Sequence, residues 1–374
     1  MYKELMNNIE LTSRFKLSTL PIIKGILPRS PIVREGKKYF TFSPYLDTEE
    51  NFKKKNLDCG IYFKAQTCIR YINNSKLDLT CPLSLNTQVQ YCFQSYKKDN
   101  QRQNLSKILS SLIKLFNLDI NNIIIKAPLS LKGIIDDICN IKLEFENECS
   151  FISDLKNNSE NRYIKVYYKY YDMLCVFFNI VLVDIDYQTG KSQLDSIVFQ
   201  ERLHMINEKC KYPFQREIYK PLINKLLDEY DSLSPYQIHR LSNDILTIAI
   251  LISNDIKLTN KGIGSEIKRK IKALTVFSEY YCNHKISGDG FINSILSIQK
   301  IENLCTNLEL TLVAKNYLEN CIKQNENFTN MYLGKIIKQE NIDKLIHSEG
   351  VPKEIFGYRK SISDDIYRFD LKDR

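Results

Sequence analysis

The feature that most constrains this chain is a change of texture near residue 210. Before it, short β-branched and aromatic runs alternate with turn residues; beyond it, apolar residues recur at helical spacing. The upstream runs are GIYFKAQTCIRYI (Gly60–Ile72), TQVQYCFQSY (Thr87–Tyr96), RYIKVYYKYY (Arg162–Tyr171) and MLCVFFNIVLVDID (Met173–Asp186). They read as strands of an antiparallel sheet. The polar break Tyr187–Lys191 reads as a hairpin turn, with Gly190 supplying a left-handed position. One helix is predicted among the strands, Asn104–Phe116, with Leu105, Ile108, Leu109, Leu112, Ile113 and Phe116 on one face.

Past Cys210 the spacing predicts helices over Lys220–Tyr230, Pro235–Ser253 and, rich in basic residues, Ser265–Tyr281, with further short ones to His347. Ser234-Pro235 has the form of an N-cap followed by a first-turn proline. The expected fold is therefore α+β: an antiparallel sheet with flanking helices over residues 1–210, then an all-helical domain over 211–374. A chain of 374 residues is long enough for two cores.

Composition removes several classes. With 43% hydrophobic and 26% charged residues the chain is globular in profile, and no apolar run reaches the length that spans a bilayer. The first residues, MYKELMNNIELTSRFK, lack the apolar stretch of a secretory signal, so a cytoplasmic protein is expected. Eleven cysteines are spread singly, without a Cys-x-x-Cys pair, and His204, His239, His284 and His347 are far apart, which argues for free thiols and against structural zinc. The net charge of +9 fits a polyanion partner only where it clusters, and one cluster exists, Lys257–Lys272.

That cluster lies in RLSNDILTIAILISNDIKLTNKGIGSEIKRKIKAL, Arg240–Leu274. The segment resembles the alanyl-tRNA synthetase family, class II aminoacyl-tRNA synthetases, in which Arg-Val-Ile-Ala-Asp-His-x-Arg is followed by Phe-Leu-Ile-Ala-Asp-Gly-Val-x-Pro-Ser-Asn-x-x-Arg-Gly-Tyr-Val-Leu-Arg-Arg-Ile. Upstream, Glu217–Ile223 is similar to the family's Asp-Leu-Phe-x-Pro-Leu-Ile, and Glu349–Ile355 to its Tyr-Gly-Phe-Pro-x-Asp-Leu. The resemblance implies a region that reads the tRNA acceptor stem. Asn260 and Glu354 would address a base pair, while Lys261, Lys268, Arg269 and Lys270 would neutralise phosphates. Read without the resemblance, Asn260 is a helix cap.

The sheet half resembles the same family's catalytic core. Gln66-Thr67-Cys68-Ile69-Arg70 is similar to its Gln-Arg-Cys-Val-Arg, which implies that Arg70 grips the α-phosphate of ATP. On the returning strand Ser84–Gln90 replaces Arg-His-His-Thr-Phe-Phe-Glu, leaving Gln90 to meet adenine. Asn179-Ile180-Val181 keeps the family's Asn-Ile-Val. Asp195–Arg202 replaces Asp-Thr-Gly-Met-Gly-Leu-Glu-Arg, which implies Asp195 for the substrate ammonium, Arg202 for the terminal phosphate and Glu201 beside them. Ile197 and Phe199 stand where the family has glycine and are expected to narrow the nucleotide site.

The resemblance leads to the expectation of a truncated, divergent paralogue without the family's editing and C-terminal domains. It implies a ligase that uses ATP and Mg²⁺ to activate a small amino acid, alanine or similar, as its adenylate. The acyl group would then pass to tRNA or another acceptor. The alternative is a catalytically degenerate paralogue that binds tRNA or serves a partner subunit. The sequence does not give the oligomeric state.

Overall fold

The computed structural model describes residues 17–27, 60–69, 85, 87–95, 100–133, 135, 138, 140–147, 162–186, 188, 191–282, 284–302 and 307–338. The chain divides into two compact units, Met1–Arg70 with Gln88–Arg216, and Tyr71–Thr87 with Glu217–Arg374.

The first unit is built on strands β1 (Ile23–Ile26), β2 (Ile61–Ile69), β3 (Thr87–Ser95), β4 (Ile123–Pro128), β5 (Lys142–Glu146), β6 (Arg162–Tyr170), β7 (Met173–Asp186) and β8 (Lys191–Val198). They form one sheet in the order β1-β2-β3-β8-β7-β6-β4-β5. The centre is antiparallel, as the runs predict; β1 with β2 and β4 with β5 add a parallel pair at each edge. Asp186 pairs with Lys191, so β7 and β8 form the expected hairpin, while its Gly190 lies outside the described residues.

Alternation along the strands gives the sheet two unlike faces. Ile125, Ile164, Val166, Phe178 and Ile180 line a small apolar cavity with Leu105 and Leu109 of helix α1 (Gln101–Leu115). The helix begins three residues before its predicted start because Asn100 caps it, accepting from the N–H of Gln103 at 3.1 Å. The opposite face is polar and is taken up below. A short helix α2 (Gln200–Asn207) follows β8 directly.

The second unit is helical: α3 (Lys220–Glu229), α4 (Pro235–Ser253), α5 (Gly264–Tyr281), α6 (Gly288–Glu302) and α7 (Leu308–Lys338). Every residue of α4 from Arg240 to Ile252 is buried, which makes it the axis of this core. Its start is the predicted one. Ser234 Oγ accepts from the N–H of Gln237 at 3.3 Å, Gln237 Oε1 accepts from the N–H of Ser234 at 2.7 Å, and Pro235 opens the first turn. The expectation of only short helices after Tyr281 is corrected by α7, 31 residues long. Its buried stripe runs Leu310, Ala314, Leu318, Cys321, Asn325. An alanine, a cysteine and an asparagine at core positions weaken the apolar signal, although the spacing is helical. No helix among the described residues is long and apolar enough to cross a membrane.

Candidate active site and basic loop

Register fixes the composition of the sheet's polar face. In β3, Gln90, Cys92 and Gln94 alternate with Tyr91 and Phe93, whose rings pack against Phe63 of β2 at 5.5 Å on the other side. Lys64 and Gln66 of β2 therefore share the face of Cys92 and Gln94. On β8 the same face carries Asp195 and Ile197, and on β7 it carries Val181 and Asn179, paired with them. Lys64, Gln66, Gln90, Cys92, Gln94 and Asp195 are all buried. A covered sheet face with this much polarity has a use other than packing.

Asp195 is its centre. Oδ1 accepts from Gln94 Nε2 at 2.9 Å and from Cys92 Sγ at 3.3 Å. Burial lifts its pKa to about 6, against the pull of those two donors, the Ser196 backbone and the charge of Lys64. Burial, and then Asp195 itself, push the Cys92 thiol well above its usual range, so it stays protonated and donates. The Ser196 hydroxyl points the other way and locks β8 to β3, donating to the carbonyl of Phe93 at 2.8 Å.

Gln90 differs from its neighbours. Its side chain is 0% exposed, and neither Oε1 nor Nε2 has a hydrogen-bond partner. Asn179 Oδ1 is likewise buried and unbonded. Groups left this way cost about 1–3 kcal/mol each, so they mark positions prepared for something else.

Arg202, on the first turn of α2, donates from Nη1 to the carbonyl of Val176 at 2.6 Å and lies 4.3 Å over the ring of Phe199. The Phe199 ring is itself buried. Glu201 is corrected from a catalytic expectation. Its Oε2 pairs with Nη1 of Arg216, which is 1% exposed and also reaches Glu208 Oε1 at 2.9 Å. Removing either partner would leave the other charge buried and unpaired. Arg70 lies outside the described residues.

The expected Mg²⁺ would draw its ligands from carboxylates, water and the phosphates of ATP. Among the described residues no three His, Cys, Asp or Glu side chains converge as a metal site, and Glu201 is tied to Arg216.

In the helical unit, the loop ahead of α5 carries the other predicted residues. Asn260 does not cap the helix, which starts at Gly264 without a side-chain cap. Its Oδ1 instead accepts from Lys268 Nζ at 2.6 Å, and Lys268 also lies 5.2 Å over the ring of Tyr317. Lys261 is exposed, and Arg269 is exposed beside Glu266, with which it pairs. Lys270 is corrected: it is 1% exposed, and its Nζ lies 2.9 Å from Asp244, which Arg240 approaches at 3.3 Å. Helical spacing turns it inward, away from the face of Arg269, and burial lowers its pKa to about 8. Glu354 lies outside the described residues.

Sequence reasoning missed Lys64, Cys92, Gln94 and Arg216. The signal for the first three was present: KAQ in β2 and QYCFQ in β3 place polar residues at every second position inside otherwise apolar strands. Nothing in the sequence marks Arg216, whose role depends on a turn bringing it to Glu201 and Glu208.

No family model matches this chain, and no curated protein does. Among solved structures, the chain is similar to apo histidyl-tRNA synthetase of S. aureus, with 10% identity and a TM-score of 0.37 over 56% of this chain and 68% of that one. It is also similar to a pyrrolysyl-tRNA synthetase structure from Desulfitobacterium hafniense, with 10% identity and a TM-score of 0.34 over 55% of this chain and 70% of that one. A second structure of that synthetase gives 9% identity and 0.32 over 56% and 71%. At such scores the likeness is a description only, and the chemistry of the site rests on its own residues.

Proposed function

We propose that this protein is a class II synthetase-like ligase, related to alanyl-tRNA synthetase, that activates a small amino acid with ATP and passes it to tRNA or another acyl acceptor. The observation that carries the reading is Asp195: a buried carboxylate, oriented by Gln94 and Cys92, at the position the sequence resemblance gives to the substrate ammonium. Asn179 lies beside it in register with Ile197, and Gln90 lies further along β3 with its amide unbonded. Asp195 would hold the amino group, Asn179 and Gln90 would bind the rest of the substrates, and Arg70 and Arg202 would hold the phosphates of ATP. Positioning and charge neutralisation then supply most of the catalysis.

A second reading is a degenerate paralogue that keeps the scaffold to bind tRNA or a partner. It is favoured by Phe199, whose buried ring lies under Arg202 where a nucleotide-binding glycine would be.

Amino-acid-dependent exchange of pyrophosphate into ATP, run over the common amino acids, separates the two. Activation predicts exchange with at least one amino acid, abolished by Asp195→Ala and by Arg202→Ala. No exchange with any of them, in a protein that still shifts tRNA in a gel, would leave the second reading standing.

A further inference from the structure

Tyr171 occupies a backbone position suited to glycine. Strands β6 and β7 pair through Tyr170 and Met173, which leaves Tyr171 and Asp172 as a two-residue turn, and Tyr171 has a φ of +50°. That angle disfavours a bulky aromatic residue, so tyrosine serves the turn less well than glycine would. An outlier of this kind points to a use for the side chain itself. The residue is 58% exposed, yet its ring is held in place. It meets the ring of Tyr170 edge-on at 4.6 Å, and its hydroxyl donates to the carbonyl of Lys209 at 3.4 Å. Tyr170 is anchored in turn, its hydroxyl donating to the carbonyl of Met205 in α2 at 3.4 Å.

Cations flank this ring. After α2 the chain closes on itself, with the N–H of Cys210 donating to the carbonyl of Met205 at 2.9 Å, and Lys209 takes a φ of +58° with its side chain exposed. Lys211 follows. Its N–H is tied to Gln215 Oε1 at 2.9 Å, and its Nζ lies 5.8 Å from the centre of the Tyr171 ring. Glu208, next to Lys209, is engaged by Arg216 at 2.9 Å, while Asp172 is exposed in the turn. A fixed, open aromatic ring beside two lysines matches a ligand that alternates flat bases with phosphates.

We propose that the turn between β6 and β7 is a contact site for single-stranded nucleic acid, with one unpaired base stacked on Tyr171 and the adjoining phosphates facing Lys209 and Lys211. The strand is single because a paired base keeps its flat face inside the double helix, out of reach of a side chain at a turn. The site is separate from the activation reading: its occupancy is measured without ATP or an amino acid, and an absence of pyrophosphate exchange leaves it standing.

The test is fluorescence anisotropy on the whole chain with labelled oligoadenylate, beside the same strand paired with oligouridylate. Tyr171→Gly removes the ring and supplies the residue that a φ of +50° favours, so the turn keeps its geometry. Tyr171→Phe keeps the ring. Expected are a loss of about fivefold or more for the single strand with Tyr171→Gly, unchanged affinity with Tyr171→Phe, and no effect of either on the duplex. Lys209→Gln with Lys211→Gln should flatten the salt slope for the single strand by about 0.7 per lysine. A single strand that binds Tyr171→Gly as it binds the wild type, or a loss shared equally by the duplex, overturns the inference. So does a wild-type chain that does not bind the single strand. If Tyr171→Gly instead splits a dimer in sedimentation while strand affinity holds, the turn is an interface between copies and the inference is wrong.

Discussion

Gln94 donates from Nε2 to Oδ1 of Asp195 across 2.9 Å, so side chains as well as backbone join β3 to β8 at the polar face. The pKa of this carboxylate rises from its ordinary 3.8 to about 6, chiefly through burial. Between those values the folded chain binds more protons than the unfolded one, so stability falls as pH rises through the window. The contribution is fully present below pH 3.8 and is lost above about pH 6. At about 1.36 kcal/mol per pKa unit the loss is on the order of 3 kcal/mol. Asp195→Asn keeps the shape without the charge and should raise the urea midpoint at pH 7 but not at pH 4. Equal midpoints at pH 7 would mean that the folded chain already neutralises the carboxylate.

Gln90 gives a second trade between stability and binding. Its buried amide meets no partner, so Gln90→Leu removes two unsatisfied groups and should stabilise the free protein by about 1–3 kcal/mol for each. The same change should raise the KM for ATP at least tenfold in pyrophosphate exchange, because the amide is then missing when nucleotide arrives. A stabilised variant with an unchanged KM would remove Gln90 from the nucleotide site.

Sequence patterns carried much of the architecture because strand and helix periods are local. β7 and α4 were readable to the residue: one is an unbroken β-branched and aromatic run, and the other opens with Ser-Pro and a glutamine at the third helical position. β4 and β5 were missed because IIIKAP and KLEFE are short segments, paired in parallel with each other, and β5 is the edge strand of the sheet. In the candidate site, the polar face of β2 and β3 was legible as polar residues at alternate positions of otherwise apolar strands. The ion pair of Glu201 with Arg216 and the burial of Lys270 were not, since both depend on which neighbours the fold brings near.

The loop before α5 is held by a close approach that only glycine allows. A Cβ on Gly264 would stand 2.1 Å from the carbonyl oxygen of Lys257 and 2.7 Å from the amide nitrogen of Thr259. Both are backbone atoms, so Gly264→Ala should cost the upper end of the overpacking range, about 3 kcal/mol. Gly262 has open space around its Cβ but a φ of +70°, so Gly262→Ala should cost only the left-handed strain, about 1–2 kcal/mol. Thermal melts of the two variants check the order. A Gly262 variant less stable than the Gly264 variant would mean that the loop is not packed on the start of the helix.

The basic segment is best tested by the contrast between its outward and inward cations. Lys268 and Arg269 reach the surface of α5, whereas Lys270 is closed into the core against Asp244. If this surface neutralises RNA phosphates, reversing both outer charges, Lys268→Glu with Arg269→Glu, should weaken tRNA binding. It should also flatten the plot of log affinity against log salt by about two phosphate equivalents. Asp244→Asn should act differently. It leaves two cations buried without their carboxylate and should cost about 3–5 kcal/mol of folding stability. The salt slope of the protein that remains folded should not move. A salt slope unaltered by the double reversal would show that the basic residues are a solvated surface.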